Sequence, residues 1–341
     1  MNIFGADIDD FVAALLDNHG RKLNYLRMAV TDRCNLRCFY CMPEEGIKYL
    51  PKKDVLTNPE ILRLTNLLAR FGITKIRLTG GEPFVRRDLM PLLRNLVEVP
   101  GIRDVHLTTN GVLTAPYVEE LRRLNIAGVN LSLDTLDRKR FHDITRRDEF
   151  NNVMQAFDAL LASAIPVKIN AVVMEGKNIE DIIPLIELGR HNPVDIRFIE
   201  EMPFNGEGSH YKRLEWTYTR ILEYIRSHYP DIKRVHDPDN ATAMGYQIPG
   251  FKGQLGIIAA FSRTFCGTCN RIRVTAQGTL KTCLYDAGVL DIRALLRQTA
   301  DDGYVGEQLL KAFQSRAKDG FEAEASRQAT PVSESMSTIG G

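Results

Sequence analysis

Six apolar runs between residues 25 and 225 are each followed by a segment of helical periodicity. Val, Ile, Leu and Thr dominate the centres of these runs without strict alternation, as expected for strands that are covered on both faces. The pattern predicts strands at 25–30, 74–79, 104–109, 129–133, 167–173 and 196–200. Helical crossovers would make these strands parallel, so the sequence predicts an incomplete (β/α)6 TIM-like barrel, with a flat doubly wound sheet as the alternative.

The predicted helices carry start signals. Thr57, Pro59 and Glu60 form a capping-box pattern ahead of apolar residues at helical spacing. Thr114 stands before Pro116 in the same way at the next start. Together with the periodicity, these signals predict helices that begin near residues 58, 117, 150, 179 and 216.

The pattern changes after about residue 230 to short apolar runs separated by glycines. A β-hairpin is predicted at 271–284, and helices are predicted at 292–296 and 306–317. The polar C-terminal residues predict a flexible tail. The chain therefore divides into an N-terminal helical extension at 1–22, a barrel at 23–230, a β-rich extension at 231–320 and a tail at 321–341.

The composition and net charge of the chain exclude some classes of function. The 341 residues include 44 basic and 43 acidic side chains, a net charge of +1 that argues against a broad nucleic-acid surface. No apolar run of about 18 residues predicts a membrane span, and the Asp-rich N-terminus lacks the basic region of a signal peptide. A cytoplasmic location is therefore expected. In that reducing compartment, six cysteines indicate metal ligands or catalytic groups rather than disulfides.

The first group of three cysteines follows the first predicted strand directly. Cys34, Cys38 and Cys41 form a Cys-x3-Cys-x2-Cys motif. Three thiolates on one loop leave one iron of a four-iron, four-sulfur cluster without a protein ligand, so that this iron can bind a substrate or cofactor. A zinc site more often pairs two Cys-x2-Cys modules, and a zinc knuckle is the alternative.

A second group of three cysteines lies in the glycine-rich region: Cys266, Cys269 and Cys283. No histidine follows His236, so a histidine-completed zinc site would need a distant partner. Two clusters, each with an open iron, fit the two groups better than one structural metal. Arg271 and Arg273 come next and would share one face of a strand, where two guanidiniums suit a polyphosphate; a solvated edge strand is the alternative.

The sequence CNLRCFYC at residues 34–41 resembles the radical S-adenosylmethionine (SAM) superfamily. This resemblance implies that the open iron chelates SAM and that reduction cleaves SAM to methionine and a 5′-deoxyadenosyl radical. A Gly-Gly-Glu-Pro motif follows the second predicted strand, and two residues near later strand ends match further SAM contacts of the superfamily. The implied SAM-binding residues are Tyr40, Gly81, Glu82, Ser132 and Met202.

In combination, both cysteine groups, the sequence CNRIRVTAQG at 269–278 and the terminal Gly-Gly resemble the GTP 3′,8-cyclase family over residues 23–341. This resemblance implies that the second cluster binds the guanine of GTP while basic side chains hold the triphosphate. The radical would remove the ribose 3′ hydrogen, and the sugar radical would attack C8 of guanine. The implied GTP-binding residues are Arg27, Lys75, Arg77, Thr108, Lys168, Arg197, Arg271, Ile272 and Arg273.

The same resemblance assigns the C-terminal tail to the active site. In that family the tail enters beside basic side chains, where only glycine allows such a close approach of the backbone. The sequence departs from the family pattern at 320–335, which is rich in Ala and Ser, and at Glu201, where an aromatic is expected; neither should touch a ligand. The implied catalytic residues are Arg27, Arg271, Arg273, Gly340 and Gly341.

The resemblance also implies cofactors and partners. These are two [4Fe–4S] clusters, SAM, GTP, an electron donor such as flavodoxin or ferredoxin, and a cyclic pyranopterin monophosphate synthase that receives the product. It implies a monomer or homodimer without nucleic-acid or membrane partners. Two alternatives stay open: a peptide-modifying radical SAM enzyme with an auxiliary cluster, and a non-catalytic iron–sulfur electron carrier. The carrier would leave the Gly-Gly-Glu-Pro motif and the basic strand residues unexplained.

Overall fold

The structure is a computed structural model that describes residues 15–204, 214–327 and 334–340. Its main feature is one sheet of twelve strands within these ranges. The strands are β1 (Tyr25–Ala29), β2 (Lys75–Thr79), β3 (Asp104–Thr109), β4 (Gly128–Ser132), β5 (Val167–Val173), β6 (Val194–Glu200), β7 (Lys233–Arg234), β8 (Met244–Gln247), β9 (Leu255–Ile258), β10 (Arg271–Val274), β11 (Thr279–Lys281) and β12 (Leu290–Asp291).

The strand order confirms the predicted incomplete barrel. Strands β1 to β6 stand side by side in chain order and pair in parallel. The C-terminal strands extend both sides, because β10 pairs in parallel with β1 and β9 pairs in parallel with β6. The order β12-β11-β10-β1-β2-β3-β4-β5-β6-β9-β8-β7 leaves the sheet open. In a doubly wound sheet the strand order reverses at one point. This sheet shows no such reversal among β1 to β6, so the predicted alternative of a flat doubly wound sheet is wrong.

Seven helices fall where the periodicity placed them, and four were not predicted: α2 and α4 in the barrel, and α10 and α11 in the tail. The predicted capping box is present, because Thr57 Oγ1 accepts from the backbone N–H of Glu60 and Glu60 Oε2 accepts from that of Thr57. No helix within the described ranges is long and apolar enough to cross a membrane. The helices are α1 (Asn58–Arg70), α2 (Leu89–Val97), α3 (Val118–Arg123), α4 (Arg138–Thr145), α5 (Phe150–Ala162), α6 (Ile182–His191), α7 (Tyr218–His228), α8 (Ile292–Gln298), α9 (Asp302–Phe313), α10 (Gly320–Ala325) and α11 (Met336–Ile339).

The sequence predicted strands with two buried, apolar faces, but the observed burial of the strands is different. In β5 and β6, buried residues alternate strictly with partly exposed ones. Ile169 and Ile196 belong to the main hydrophobic core, whereas Lys168, Asn170 and Arg197 line an interior cavity. The inner wall of this barrel is therefore polar, because it surrounds a cavity instead of the layers of apolar side chains that fill a closed barrel.

The two chain ends also differ from the sequence predictions. The predicted N-terminal helix falls largely on residues 1–14, outside the described residues, and the part from 15 to 22 forms a turn with a bridge between Leu16 and Lys22. Where it is described, the tail forms α10 and α11 instead of a flexible segment. Ile339 packs among buried apolar side chains, and Glu334 accepts hydrogen bonds from buried Lys281 and Arg327 at 2.9 and 3.0 Å. These contacts offset the polar composition that predicted flexibility.

Candidate active site

The two cysteine groups lie at opposite ends of the barrel interior. Cys34, Cys38 and Cys41 follow the carboxyl end of β1, whereas Cys269 lies two residues before the start of β10. Because β10 runs parallel to β1 with Arg271 opposite Tyr25, Cys269 lies at the amino end of β1. Five residues of strand separate the two ends, a distance of about 16 Å at 3.3 Å per residue.

A cavity of about 170 Å³ lies at the end that carries the first cysteine group. All three cysteines line it, together with the predicted SAM-binding residues Tyr40, Gly81, Ser132 and Met202. Burial raises the pKa of the three thiols, that of Cys34 to about 11, so the loop itself does not stabilise thiolates. A cationic cluster would supply the missing stabilisation, because metal binding requires the deprotonated form.

The Gly-Gly-Glu-Pro motif supports the cysteine loop. Gly80 has a φ of +149°, and a Cβ there would lie 2.3 Å from the carbonyl oxygen of Thr31; at Gly81 it would lie equally close to that of Arg33. The motif therefore packs against the three residues that lead into Cys34, which only glycine permits.

Glu82 lies behind the cavity rather than in its lining. Its carboxylate is fully buried and accepts hydrogen bonds from Thr109 Oγ1 at 2.8 Å and from the backbone N–H groups of Phe84 and Asn110. Burial raises its pKa to about 7. Glu82 thus joins the turns that follow β2 and β3, and its contact with SAM stays a prediction.

Two residues of this cavity were not singled out from the sequence. Asp134 accepts a hydrogen bond from Tyr40 Oη at 2.7 Å, and burial raises its pKa to about 6. Asn110 donates to Asn35 at 2.8 Å and lies 3.7 Å from Cys34 Sγ. Both lie within two residues of a strand end, where polar residues of a β/α barrel commonly form sites, so the signal was present in the sequence.

A larger cavity of about 480 Å³ fills the interior between the two cysteine groups. Register places its wall residues on one face of consecutive strands, for example Arg27 beside Arg77 and Arg273, and Asn170 beside Arg197. The second cysteine group lines its far end. The two cavities share four lining residues: Asn170, Ile199, Met202 and Met336. The predicted basic residues in the wall of the larger cavity are Arg27, Lys75, Arg77, Lys168, Arg197, Arg271 and Arg273.

These basic groups differ in how well the protein neutralises them. Lys168 pairs with Asp195 at 2.5 Å. Arg77 donates to Tyr25 Oη at 2.6 Å and to the carbonyl of Leu107 at 2.9 Å. The buried Nε of Arg27, in contrast, has no hydrogen-bond partner within the described part of the chain.

The charge at Arg27 is left uncompensated. Burial lowers its pKa well below the usual value, and the nearby Arg273 and Arg77 add to that effect. A buried cation without a partner is costly unless an anion occupies the site. The cavity is therefore built for an anionic ligand.

The second cysteine group lies among guanidinium groups. Cys269 Sγ accepts hydrogen bonds from Arg271 at 3.2 Å and from Arg316 at 3.0 Å. Burial alone would raise the pKa of this thiol, but the two guanidiniums outweigh it and lower the pKa to about 6. Arg316 lies 47 residues away in the sequence, so no local pattern could have identified it.

The tail reaches the same interior. Arg273 donates to the carbonyl of Gly340 at 2.9 Å, and Ser335 Oγ donates to that of Cys41 at 2.7 Å. Gly340 has a φ of +81°, and a Cβ there would lie 2.7 Å from Thr79 Cγ2. Gly341, the other predicted tail residue, lies outside the described residues.

The structure places three other residues differently from the sequence expectations. Thr108, predicted to contact GTP, lines the smaller cavity. Ile272 is fully buried in the hydrophobic core, because alternation on β10 turns its side chain away from Arg271 and Arg273. Glu201, expected to lie away from any ligand, lines the smaller cavity.

Each cysteine group offers three thiols beside a cavity, a donor set that suits an iron–sulfur cluster with one open iron. Among the described residues, no three His, Cys, Asp or Glu side chains converge closely enough to bind a single metal ion. An iron–sulfur cluster is larger and takes thiolates on different irons, so its ligands can stand farther apart. Each cysteine group faces a cavity, which leaves room for both the cluster and a ligand on its open iron.

Two family descriptions together cover most of the chain. "Radical SAM superfamily" matches residues 28–189, and "Molybdenum Cofactor Synthesis C" matches residues 194–321. A Syntrophomonas wolfei protein named GTP 3′,8-cyclase is 41% identical over 309 residues, which are 89% of this chain and 93% of that protein. A Bos taurus protein named molybdenum cofactor biosynthesis protein 1 is 41% identical over 304 residues. The chain spans about half the length (46–52%) of this and the other animal relatives it matches.

Solved structures show the same fold at low sequence identity. Streptococcus suis SuiB bound to S-adenosylmethionine matches with a TM-score of 0.59 and 16% identity, over 90% of this chain and 68% of that one. SuiB bound to its precursor peptide SuiA matches with a TM-score of 0.55. At this identity the likeness concerns the arrangement of strands and helices alone.

Proposed function

The chain belongs to the GTP 3′,8-cyclase family of radical SAM enzymes, and from that premise we propose that it cyclises GTP to 3′,8-cyclo-7,8-dihydro-GTP in molybdenum cofactor biosynthesis. Membership of the radical SAM superfamily brings SAM and an iron–sulfur cluster with it. We place that cluster on Cys34, Cys38 and Cys41. A second [4Fe–4S] cluster, on Cys266, Cys269 and Cys283, is part of the proposal.

One observation carries this proposal: a strongly basic interior, in which the buried Nε of Arg27 has no hydrogen-bond partner among the described residues, lies between two sets of three cysteines. A triphosphate would supply anionic partners for Arg27, Arg197 and Arg273. Guanine at the far end would then face the second cysteine set, and the ribose would lie toward the smaller cavity. A substrate about as long as the cavity explains why the two cysteine sets stand about 16 Å apart.

The residues of this chain have distinct tasks in the reaction. Cys34, Cys38 and Cys41 would hold the first cluster, which would supply the electron for cleaving SAM into methionine and a 5′-deoxyadenosyl radical; that radical would take the 3′ hydrogen of GTP. Arg27 and Arg273 orient the triphosphate, and Arg77 is held in place by Tyr25. Met202 and Met336 line both cavities and exclude water from the space where the radical reacts.

The remaining partners complete the proposal. The first cluster needs an electron donor such as flavodoxin or ferredoxin, and the product passes to a cyclic pyranopterin monophosphate synthase. We propose a cytoplasmic location for this reaction.

The proposed function is tested by anaerobic reconstitution with iron and sulfide, followed by incubation with SAM, a strong reductant and GTP deuterated at the 3′ position. We expect about eight irons per chain and transfer of deuterium into 5′-deoxyadenosine. The matched variants replace either all three cysteines of the first set or all three of the second with alanine. Each is expected to hold about four irons and to form no cyclic product.

The alternative functions give different results in this experiment. Absence of 5′-deoxyadenosine from the reconstituted protein would overturn any radical SAM activity and favour an electron carrier. SAM cleavage that proceeds without GTP and leaves deuterium in place would instead favour a peptide substrate.

The pH dependence of GTP binding offers a further prediction. Burial alone would raise the pKa of Tyr25, but Arg77 and Arg27 outweigh it and lower the pKa to about 8. Above that pH a phenolate therefore competes with the triphosphate for the same guanidiniums. GTP affinity should fall roughly fivefold between pH 7 and 9, for an added repulsion of about 1 kcal/mol.

Calorimetric titration of the reconstituted protein at several pH values measures this effect. Tyr25→Phe removes the titrating hydroxyl, so its affinity should change much less over the same range. An equally steep fall in that variant would exclude Tyr25 as the cause.

A further inference from the structure

Arg316 connects the parts of the second cysteine set. It follows α9 and is almost fully buried, at 3% exposure. Its Nη2 donates to Cys269 Sγ at 3.0 Å and its Nη1 to the Cys269 carbonyl at 2.8 Å. Its Nε donates to the carbonyl of Thr282, the residue before Cys283, at 3.0 Å.

All five N–H groups of this guanidinium have partners. The two that remain donate to the carbonyl of Arg271 at 3.0 Å and to Asp17 Oδ2 at 3.1 Å. A fully used guanidinium is a rigid unit, because each rotation would break several hydrogen bonds at once. Lysine, with three donors on a flexible stem, could not make the same set.

The need to neutralise Asp17 does not by itself explain why a buried arginine stands at position 316. Asp17 already pairs with Arg21 at 2.7 Å and accepts hydrogen bonds from the backbone N–H groups of His19 and Arg21. Three of the five Arg316 bonds instead go to Cys269 or to the neighbour of Cys283. The guanidinium is thus directed at the cysteine set.

We propose that Arg316 is a positioning residue that sets the reduction potential of the second cluster. This role rests on the proposed function, which assigns a cluster to Cys266, Cys269 and Cys283. Hydrogen bonds to ligand sulfurs and nearby positive charge stabilise the reduced, more negative state of a cluster and so raise its potential. Cys269 receives two such bonds, from Arg271 and Arg316, and Arg316 also bonds the carbonyl of Thr282, next to Cys283.

The test is an anaerobic redox titration of the full-length chain, followed by electron paramagnetic resonance. The parent carries alanine at Cys34, Cys38 and Cys41, so that only the second set can hold a cluster. In Arg316→Gln we expect the oxidised-to-reduced ratio at a given potential to rise at least tenfold, which is 59 mV more negative for one electron. Arg316→Lys keeps the charge and should shift by less.

Arg63 provides a matched control. It also donates to two backbone carbonyls, those of Leu296 and Thr299, and pairs with Asp302, but it contacts no cysteine. Arg63→Gln should leave the potential unchanged. Arg316→Gln with the parent potential would overturn the role of Arg316, and if that variant retains no iron, the potential of Arg316→Lys decides in the same way.

Failure of the proposed function gives a different result. A parent that binds no iron at the second cysteine set would overturn the second cluster and the role of Arg316 with it. Iron held at an unshifted potential would overturn the role of Arg316 alone.

Discussion

Gly340→Ala abolishes cyclisation, with roughly a 100-fold or larger fall in turnover, while the iron content stays at the parental value: this is the result we expect. The added Cβ would lie 2.7 Å from Thr79 Cγ2 and 3.2 Å from the Cβ of Ala29, and neither neighbour lies at the end of a flexible side chain. The tail must therefore move away from β1, which breaks the hydrogen bond from Arg273 to the Gly340 carbonyl. Misplacement by about 1 Å can cost about 100-fold in rate.

Backbone strain has to be separated from this clash. Gly250 has almost the same φ, +85°, and a Cβ there would meet nothing within 4 Å. Gly250→Ala therefore introduces the same left-handed alanine, at a cost of about 1–2 kcal/mol, without the contact. Product formation and iron content are measured in both variants. Parental turnover in Gly340→Ala, or an equal loss in Gly250→Ala, would show that the position of the tail is not what matters.

The six central strands could be predicted from sequence because local pattern and tertiary role agree there. Strand β3 has the predicted bounds, and β5 likewise. Helix α4 was missed because its sequence, RKRFHDIT, shows few apolar positions, of which Phe141 and Ile144 are buried. The second cysteine set could be found by spacing, but its place at the far end of the barrel depends on the pairing of β10 with β1, which no local pattern encodes.

Some features of the site depend on contacts between distant segments, which local sequence patterns do not encode. Strand alternation correctly put Arg271 and Arg273 on one face, and the same rule turns Ile272 toward the core. Glu82 matched a motif, yet its carboxylate bonds Thr109 and Asn110 from another turn. Arg316 had no motif, because its partners are carbonyls and a sulfur brought together only by the fold.

Charged side chains in the basic interior can lower the stability of the free protein while they strengthen GTP binding. Substitutions of Arg27 and Arg77 should therefore change the melting temperature in opposite directions. Burial and the neighbouring Arg273 disfavour the charge on Arg27, and its Nε has no partner in the described part of the chain. Without GTP, Arg27→Gln should therefore raise the melting temperature of the reconstituted protein by about 2 °C, for roughly 1 kcal/mol gained. Arg77→Gln should lower it, because Tyr25 and the Leu107 carbonyl each lose a buried hydrogen bond.

When GTP is bound, the parent should have a higher melting temperature than Arg27→Gln, the reverse of the order without GTP. A bound triphosphate pairs with Arg27, and removing one partner of a buried charge pair costs about 2–5 kcal/mol, so the variant should bind GTP at least about 30-fold more weakly. Saturating GTP then raises the melting temperature of the parent above that of the variant. Both quantities are measured anaerobically, by thermal unfolding and by calorimetric titration. An Arg27→Gln protein that is less stable than the parent without GTP, yet binds GTP equally well, would mean that Arg27 supports the fold and that the triphosphate lies elsewhere.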